Sequence, residues 1–515
     1  MENWTSGYVA DIDYTYGYYR ELNPIHARLA LLKNGIPCPE INTACELGFG
    51  QGLTTNIHAA ASNCKWYGTD FNPSQAGFAQ ELAKVSANDA ELFDEAFDEF
   101  CNRDDLPDFD YIGLHGIWSW ISSENRQTLV NFFKRKLKVG GILYISYNTM
   151  PGWAAFTPLR KLMAEHTQVI GAEGAGIVNR IDGAIDFADA LLKTNPKYLH
   201  ANPQITERVA YLKSQKREYL AHEYFNKDWA PMPFSEMAES LEFAKLDFAG
   251  SANYLSHIDA VNMTAEQNQF LSDIPDLVFR QSVRDFMLNQ QFRQDYWVKG
   301  ARKIPFFDNI DFLKSEKIIL TTLRQNVSLK VDSPLGEAKL NADIHNPILD
   351  VLDGHKVVTI GKILEDTKAK NLNLGQIVEA IMTMIHLGHV MSVQHEEANA
   401  QAIKSCNKLN LHLMNLARNI AADQASLASP LTGGGFIVPR IEQIFLLAYI
   451  NGIKTPEQMA EFTWQPLAFR GEKVLKDGIP LETPEENIEN LTAKAKEFIE
   501  QRLEILKALQ IAPKK

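Results

Sequence analysis

A glycine-rich stretch, INTACELGFGQG from Ile41 to Gly52, limits what this chain can fold into more than any other part of the sequence. An apolar run that ends in an acid and opens at once into alternating glycines is typical of a buried parallel strand that turns into a helix beneath a nucleotide-like ligand. Gly48, Gly50 and Gly52 allow the backbone to approach such a ligand closely. A dinucleotide fingerprint has its last glycine one position later, so this spacing favours S-adenosylmethionine over NAD. Taken alone, the motif also fits a plain strand-to-helix connection.

An acid follows at the end of the next predicted strand. This strand, KWYGTDF, ends at Asp70, about twenty residues beyond the glycines, where a carboxylate is placed to accept hydrogen bonds from both hydroxyls of a ribose. The alternative role for Asp70 is to cap the helix that begins near Pro73. Because glycine turn, strand and terminal acid occur in this order, we predict a cofactor site here.

The sequence then continues to alternate between strands and helices. Helices are predicted over 73–85 and 125–137, the second ended by Gly140 and Gly141, and AELF, FDYIGLH and ILYISYN are predicted as the third to fifth strands. This alternation predicts an α/β, Rossmann-like fold with a parallel sheet, helices on both faces and ligands at the carboxyl ends of the strands. Those ends carry Gly48 to Gly52, Asp70, Glu95 to Phe97, His115-Gly116 and Tyr147-Asn148.

The rest of the chain is predicted to extend this unit and then to leave it. We assign 1–255 to the cofactor-binding domain, with a helical insertion at about 156–215 that contains the glycine-rich GAEGAG and acts as a lid, a dimer contact or simple packing. Within this domain YLAHEYF is predicted as a strand, FSEMAESLEFA as a helix and KLDFAGSA as the last strand. Beyond Ser256 the periodicity is helical, with a middle domain at 256–333.

Two later stretches resemble each other, at 346–366 and 441–462. Each has an apolar helix, an Asp-Gly or Asn-Gly turn, a second short helix and then an amphipathic segment. This skeleton predicts winged-helix-like units at 334–400 and 401–515. On an acidic chain their expected use is protein contact or scaffolding, with DNA binding as the alternative.

Composition excludes several classes of function. With 515 residues the chain suggests three or four domains, and a formal net charge of −13 argues against broad binding to nucleic acid. The five cysteines show neither CxxC pairing nor zinc spacing, so we predict no metal site and a reducing compartment. No signal peptide and no membrane span are apparent in the sequence, and we predict a cytoplasmic protein.

Methyl transfer from a sulfonium needs in-line placement of a nucleophile and little else from the protein. The segment FDYIGLHGIWSWI puts His115 at a strand end and Trp118 and Trp120 on the loop above it, while Tyr147 and Asn148, with Trp153 shortly after, come from the adjacent strand. Such aromatic walls hold the stem and cationic head of a lysine, or they are ordinary packing. His115 is either a base for an oxygen nucleophile or a residue that holds its loop, and we favour the second role.

Tyrosines crowd residues 4–24, ahead of a predicted amphipathic helix, IHARLALLKNG. This aromatic segment either covers the ligand or packs as an N-terminal arm. The Asn/Asp-Pro-Pro-aromatic motif of enzymes that methylate nucleobase amines and glutamine amides is absent after the fourth strand.

Several segments together resemble the bacterial class I methyltransferases that carry a methyltransferase regulatory domain. These are ELGFGQG, GTDFNPSQ, FDYIGLHGIWSW, YISYNTMPGW and LRKLMAEHT, with AHEYF and VFRQSVRD in the regulatory portion. The likeness covers about residues 8–300 and continues more loosely to the C-terminus. The best-understood members of this family are lysine methyltransferases of outer-membrane proteins. The resemblance implies S-adenosylmethionine as cofactor, and a homodimer whose helical middle domains frame a cavity for an unfolded chain.

Site residues are predicted from the motifs and the resemblance together. The expected cofactor-binding residues are Glu46, Gly48, Phe49, Gly50, Gly52, Asn56, Asp70, Phe71, Gln75, Phe97 and His115. The expected catalytic residues are His115, Trp118, Tyr147 and Asn148.

The chain departs from the family pattern at three places. Phe49 replaces a common cysteine, Thr55 replaces the glycine before Asn56, and Leu22-Asn23-Pro24 replaces Thr-His-Pro. These departures leave cofactor binding intact and bear on the choice of substrate.

The leading hypothesis is therefore an S-adenosylmethionine-dependent methyltransferase that acts on protein lysines of a surface or envelope protein. One alternative is methylation of a hydroxyl on a glycan or small metabolite. Another is a cofactor-sensing binding protein whose winged-helix-like half carries the function.

Overall fold

The computed structural model describes residues 17–171, 174, 176–419 and 425–513. Most of the tyrosine-rich N-terminal segment, up to residue 16, therefore lies outside the described residues, as does part of GAEGAG. None of the helices within the described ranges is both long enough and apolar enough to cross a membrane.

Sixteen strands are found in the described ranges. They are β1 (Thr43–Leu47), β2 (Lys65–Thr69), β3 (Glu91–Phe93), β4 (Phe109–Leu114), β5 (Leu137–Asn148), β6 (Leu246–Ser251), β7 (Phe292–Lys299), β8 (Lys317–Leu320), β9 (Lys330–Ser333), β10 (Gly336–Lys339), β11 (Val358–Thr359), β12 (Val390–Ser392), β13 (Ser426–Ser429), β14 (Gly434–Ile437), β15 (Leu475–Lys476) and β16 (Ile479–Pro480).

Helices fill most of the remaining described chain. Those of the first half are α1 (Pro24–Lys33), α2 (Leu53–Ala61), α3 (Pro73–Ser86), α4 (Phe97–Cys101), α5 (Ser123–Lys136), α6 (Thr157–Val169), α7 (Gly176–Lys193), α8 (Lys197–Ala201), α9 (Ile205–Ser214), α10 (Arg217–Tyr224) and α11 (Phe234–Glu242). Those of the second half are α12 (Asp259–Asn262), α13 (Ala265–Ser272), α14 (Leu277–Leu288), α15 (Phe306–Ser315), α16 (Ala342–Leu352), α17 (Ile360–Asp366), α18 (Leu374–His386), α19 (Glu396–Asn419), α20 (Arg440–Ile450), α21 (Pro456–Phe469), α22 (Pro484–Glu497) and α23 (Leu503–Ala508).

Seven strands form one sheet in the order β3-β2-β1-β4-β5-β7-β6. Strands β1 to β5 pair in parallel, and β7 runs antiparallel to both of its neighbours. Every residue of β4 is buried, as expected for a central strand covered on both faces. The predicted α/β fold is confirmed, and the sheet, which was predicted to be parallel, is parallel over β1 to β5 but contains the antiparallel strand β7.

The sheet corrects two predictions. YLAHEYF is not a strand, because Arg217–Tyr224 forms α10 and buries Leu220, Ala221 and Tyr224 at helical spacing. The expectation that KLDFAGSA is the last strand is also wrong, because β7 follows it in the chain and lies inside the sheet. Its alternation is hidden in the sequence since Arg293 and Asp295 are buried as an ion pair. A domain that ends at 255 therefore leaves out β7, which lies between β5 and the edge strand β6.

A smaller correction concerns the end of α5. This helix ends at Lys136, and the two glycines predicted to end it lie within β5, which begins at Leu137. The predicted insertion at 156–215 is helical, and it contains α6, α7, α8 and α9.

The C-terminal half covers the sheet unit. Helices are present on both sides of the turns predicted in 346–366 and 441–462, namely α16 with α17 and α20 with α21. The first set is joined to a three-stranded sheet of order β11-β8-β12. The long helix α19 packs on α2 and α3, the helices that follow the glycine turn and Asp70. The winged-helix assignment stays a prediction.

Candidate cofactor and active site

The glycine turn joins β1 to α2 at the carboxyl edge of the sheet. Gly48, Gly50 and Gly52 all have positive φ angles, of 72°, 58° and 67°, a conformation that disfavours residues with a Cβ. A Cβ on Gly48 would collide with the side chain of Ile117, and a Cβ on Gly52 would collide with Ala79. The turn is therefore compact, and the loop after β4 approaches it closely.

Glu46 is a buried carboxyl group at the start of this turn. Its Oε2 accepts a hydrogen bond from the Thr55 hydroxyl at 2.6 Å. Burial raises its pKa to about 8, and the nearby Asp70 carboxylate acts in the same direction, while the Thr55 hydrogen bond opposes the shift. Without a cation beside it, Glu46 is thus mostly protonated at neutral pH.

Asp70 follows β2 and holds the glycine turn. Its Oδ2 accepts from the Gly50 N–H at 2.8 Å, and its Oδ1 accepts from the Asn72 N–H at 3.1 Å. Burial raises its pKa to about 6, against the effect of these two hydrogen bonds. Within the described ranges no lysine or arginine forms an ion pair with Glu46 or Asp70, so both carboxyl groups can accept further donors.

A small cavity of about 30 Å³ lies beside the glycine turn and Glu46, and Asp70 is not among the residues that line it. Six predicted cofactor residues line it, and they are Glu46, Gly48, Phe49, Gly50, Gly52 and His115. Gly17 and Tyr19 line it from the N-terminal side, which shows that the segment before α1 reaches the site.

The other predicted cofactor residues support this turn or lie around it. Asn56 donates to the carbonyl oxygens of Gly52 and Ala79, each at 2.9 Å, and so links the glycine turn to α3. Gln75 is buried in the first turn of α3, and Phe71 directly follows Asp70. Phe97 begins α4, and its ring faces the space beside Gly48.

His115 lies at the end of β4, between two tyrosines. The Tyr19 ring stacks on the imidazole at 4.0 Å between centroids, and Nδ1 is 2.7 Å from the Tyr144 hydroxyl. Gln294 donates to that same hydroxyl at 3.4 Å. Burial lowers the His115 pKa to about 4, so the ring is neutral.

Tyr147 lies on the other face of β5 from this histidine, because side chains alternate along a strand. Its hydroxyl donates to Asp295 at 2.9 Å. Asp295 and Asp285 both pair with Arg293, at 2.8 and 2.6 Å, and all three charged side chains are buried. The expectation that Tyr147 lies at the mouth of the site is therefore wrong, and its role is to join β5 to this ion-pair cluster.

Trp118 is a core residue and forms no wall of an open pocket. Its indole is 1% exposed and its Nε1–H points at the Met232 sulfur, 3.3 Å away. Trp120 donates to the Glu223 carbonyl, and Trp153 donates to the Gln291 carbonyl. Asn148 is buried, and its backbone N–H donates to the Ser119 hydroxyl at 2.8 Å. The sequence motif did not show whether these tryptophans pack in the core or bind a ligand.

Two contributors were missed by the sequence-based prediction. Tyr19 covers His115, and it is held there because its backbone N–H donates to the Thr54 hydroxyl at 3.1 Å. Ile117 fills the space that Gly48 leaves. The cluster of tyrosines signalled the first contact, whereas nothing in the sequence signalled the second.

Comparisons with known proteins agree with this arrangement. A family described as "Predicted methyltransferase regulatory domain" matches residues 216–299, which include β6, β7 and α14. The structure of PKMT2 from Rickettsia typhi in complex with AdoHcy aligns with a TM-score of 0.67 at 16% identity, over 96% of this chain and 99% of that one. The uncharacterized protein sll1526 from Synechocystis is 38% identical over 515 residues, which are 99% of this chain and 100% of the relative. The chain belongs to the S-adenosylmethionine-dependent class I methyltransferases that carry this regulatory domain.

A more distant relative covers part of the methyltransferase. The uncharacterized protein RP789 from Rickettsia prowazekii is 26% identical over 372 residues, 69% of this chain and 64% of the relative. The matched regulatory domain supplies Asp295, which accepts from Tyr147 of β5, and Arg293, which pairs with Asp295. In this methyltransferase the regulatory segment therefore completes the sheet.

Proposed function

We propose that this methyltransferase transfers a methyl group from S-adenosylmethionine to lysine side chains of a protein. The observation that carries the cofactor part of the proposal is the pair of buried carboxyl groups at the glycine turn, Glu46 and Asp70, which have no cationic partner among the described residues. A ligand with an ammonium group and a ribose matches both, because Glu46 would accept from the ammonium and Asp70 from the ribose hydroxyls.

The bound cofactor would supply a methyl group activated by a positively charged sulfur. The glycine turn would let the backbone approach it, with no Cβ on Gly48 or Gly50 in the way. The ammonium of the ligand would also favour the ionised form of Glu46, so binding is expected to release a proton from this residue.

His115 supports an amine as the acceptor over a hydroxyl. A hydroxyl nucleophile needs a base, yet burial lowers the pKa of this ring to about 4, and its Nδ1 is hydrogen-bonded to the Tyr144 hydroxyl. Such a ring is a weak base at neutral pH. A lysine amine, once neutral, already has a free lone pair and needs only orientation.

The likeness to PKMT2, whose abbreviation denotes a protein lysine methyltransferase, supports the same choice of acceptor. At 16% identity it is a likeness of fold. A homodimer in the cytoplasm remains part of the proposal, and sedimentation velocity on the full chain tests the dimer.

The experiment is a transfer assay with labelled S-adenosylmethionine, lysine peptides and cell-envelope proteins as acceptors. We expect label on lysine, located by mass spectrometry, and a rate that rises with pH up to the lysine pKa, about 10.4. The Asp70→Asn variant is the control for dependence on the cofactor site. His115→Ala is expected to reduce lysine transfer only modestly. Label on serine, threonine or a glycan, lost by several orders of magnitude in His115→Ala, would contradict lysine as the acceptor.

A further inference from the structure

A second and larger cavity lies at the carboxyl edge of the sheet, on the side of β6 and β7. Its volume is about 640 Å³. Its walls come from the loop after β6, from α13 and α14, and from the first residues of β7. The predicted cofactor and catalytic residues are not among the side chains that line it.

The cavity is lined by cations that its carboxylates only partly neutralise. Lys33 is paired with Glu379 outside the cavity, and Arg293 is neutralised by Asp285 and Asp295.

Two arginines of α14 remain. Arg284 is buried, donates to the Ser256 carbonyl at 2.9 Å, and lies 3.8 Å from Asp259, whose side chain is 61% exposed. Arg280 forms no ion pair with any described residue, and its Nε–H is buried without a hydrogen-bond partner.

Arg280 and Arg284 are four residues apart, so they lie one above the other on the same face of α14. An arginine presents a planar set of N–H donors that matches a carboxylate. The chain as a whole has a net charge of −13. In this acidic protein Arg280 is therefore a cation of the cavity with no ion pair to any described residue, and its donors match an anion.

The cavity shares a wall with the His115 side of the active site. Phe292 lines the cavity, and its ring is 6.0 Å from the His115 ring. Gln294 also lines it and donates to Tyr144, which binds His115. A peptide whose lysine reaches the active site can thus place a neighbouring side chain in this cavity.

We propose that Arg280 and Arg284 bind a carboxylate of the acceptor protein, an Asp or Glu side chain close to the methylated lysine. The inference rests on the proposed lysine transfer and adds a sequence preference to it. Arg280 supplies the unpaired donors, and Arg284 supplies the second set once its weak contact with Asp259 is exchanged.

The test uses fluorescent peptides with one central lysine and a single Glu at successive positions on either side, each matched by a Gln peptide. Binding to the full-length protein is measured by anisotropy, and methyl transfer is measured on the same peptides. A hydrogen bond to a charged group contributes enough that we expect about tenfold tighter binding of the best Glu peptide over its Gln match. Arg280→Gln, alone and with Arg284→Gln, is expected to abolish this preference.

Arg302→Gln is the matched control, because Arg302 is exposed and its substitution removes the same charge. It should keep the preference, and thermal melting shows that each variant is folded. If Arg284→Gln unfolds the protein, the loss of the Glu preference in Arg280→Gln alone still tests the proposal. Equal binding of Glu and Gln peptides to the wild type, or a preference that survives Arg280→Gln, would overturn the proposal.

Two further measurements are needed. One distinguishes a peptide carboxylate from a free dicarboxylate, and the other distinguishes the proposed subsite from the proposed lysine transfer. Free glutarate that competes at the peptide's own concentration would show a site for a small dicarboxylate and would overturn a peptide subsite. A Glu preference in binding with no methyl transfer to lysine would support the subsite while contradicting the proposed function.

Discussion

Two pairs of buried carboxyl groups in this sheet differ in what surrounds them. Asp285 and Asp295 share the cation Arg293, and Tyr147 donates to Asp295, so the protein itself supplies a positive charge and a donor to this pair. Within the described part of the chain, Glu46 and Asp70 have only neutral donors, the Thr55 hydroxyl and backbone N–H groups. The first pair stabilises the fold, whereas the second pair is incomplete until a ligand supplies positive charge and hydroxyl donors.

The largest expected effect is at the paired acids. Arg293→Met leaves two buried carboxylates without a cation, and breaking such a pair costs about 3–5 kcal/mol of folding free energy. Urea denaturation measures this loss. Arg103→Met is the matched control, because Arg103 also bridges two carboxylates, Glu95 and Asp105, but near the surface. It should cost much less, and an equal loss in both variants would end the distinction.

Asp70→Asn is expected to weaken S-adenosylmethionine binding by about tenfold to a hundredfold, since hydrogen bonds to a charged group are lost. An Asn can also accept from only one of the Gly50 and Asn72 N–H groups. Calorimetry gives the affinity. Asp110→Asn is the control, because Asp110 also accepts two backbone N–H groups, but at the opposite edge of the sheet. If both variants bind the cofactor alike, Asp70 does not contact the ribose.

Glu46→Gln is expected to weaken cofactor binding by about tenfold, because an amide cannot neutralise the ligand's ammonium. Its folding stability should stay unchanged or rise, since the change removes an ionisable group from a buried position. Glu316→Gln is the opposite case, because Glu316 is paired with Arg28 at 2.5 Å. That variant should lose stability and keep cofactor affinity, and the reverse pattern would contradict the comparison.

The smallest expected effect is on the pH dependence of folding stability in the ligand-free protein. The Glu46 pKa is raised from 4.5 to about 8 in the folded state, so folding takes up a proton between these values. The stability from this group is complete below pH 4.5 and is lost as pH rises through 8. Melting temperatures at about pH 5.5 and about pH 8.5 should therefore differ less in Glu46→Gln than in the wild type. An unchanged difference would show that Glu46 is ionised without ligand.

The same comparison explains what the sequence could predict. The glycine turn and Asp70 were recognisable because backbone conformation and strand ends leave local patterns, and the structure brings them together. Strand β7 was not recognisable, since Arg293 and Asp295 look like surface residues until each is seen to neutralise the other.

Side-chain direction was the other limit. Trp118 follows β4 and Tyr147 lies near the end of β5, as predicted. Trp118 is nevertheless packed against Met232, and Tyr147 lies on the far face of β5. Sequence position gives the strand end, but a shift of one residue changes the face of the sheet. The cluster of Tyr19, His115 and Tyr144 depends on contacts between distant segments, which no local pattern encodes.

The most direct test of the central claim is the number of protons released when S-adenosylmethionine binds at about pH 6.5. Calorimetry in buffers of different ionisation enthalpy gives this number. If Glu46 is protonated in the free protein and ionised beside the ligand's ammonium, the wild type should release about one proton and Glu46→Gln about none. Equal release by both proteins, or none by the wild type, would contradict the account.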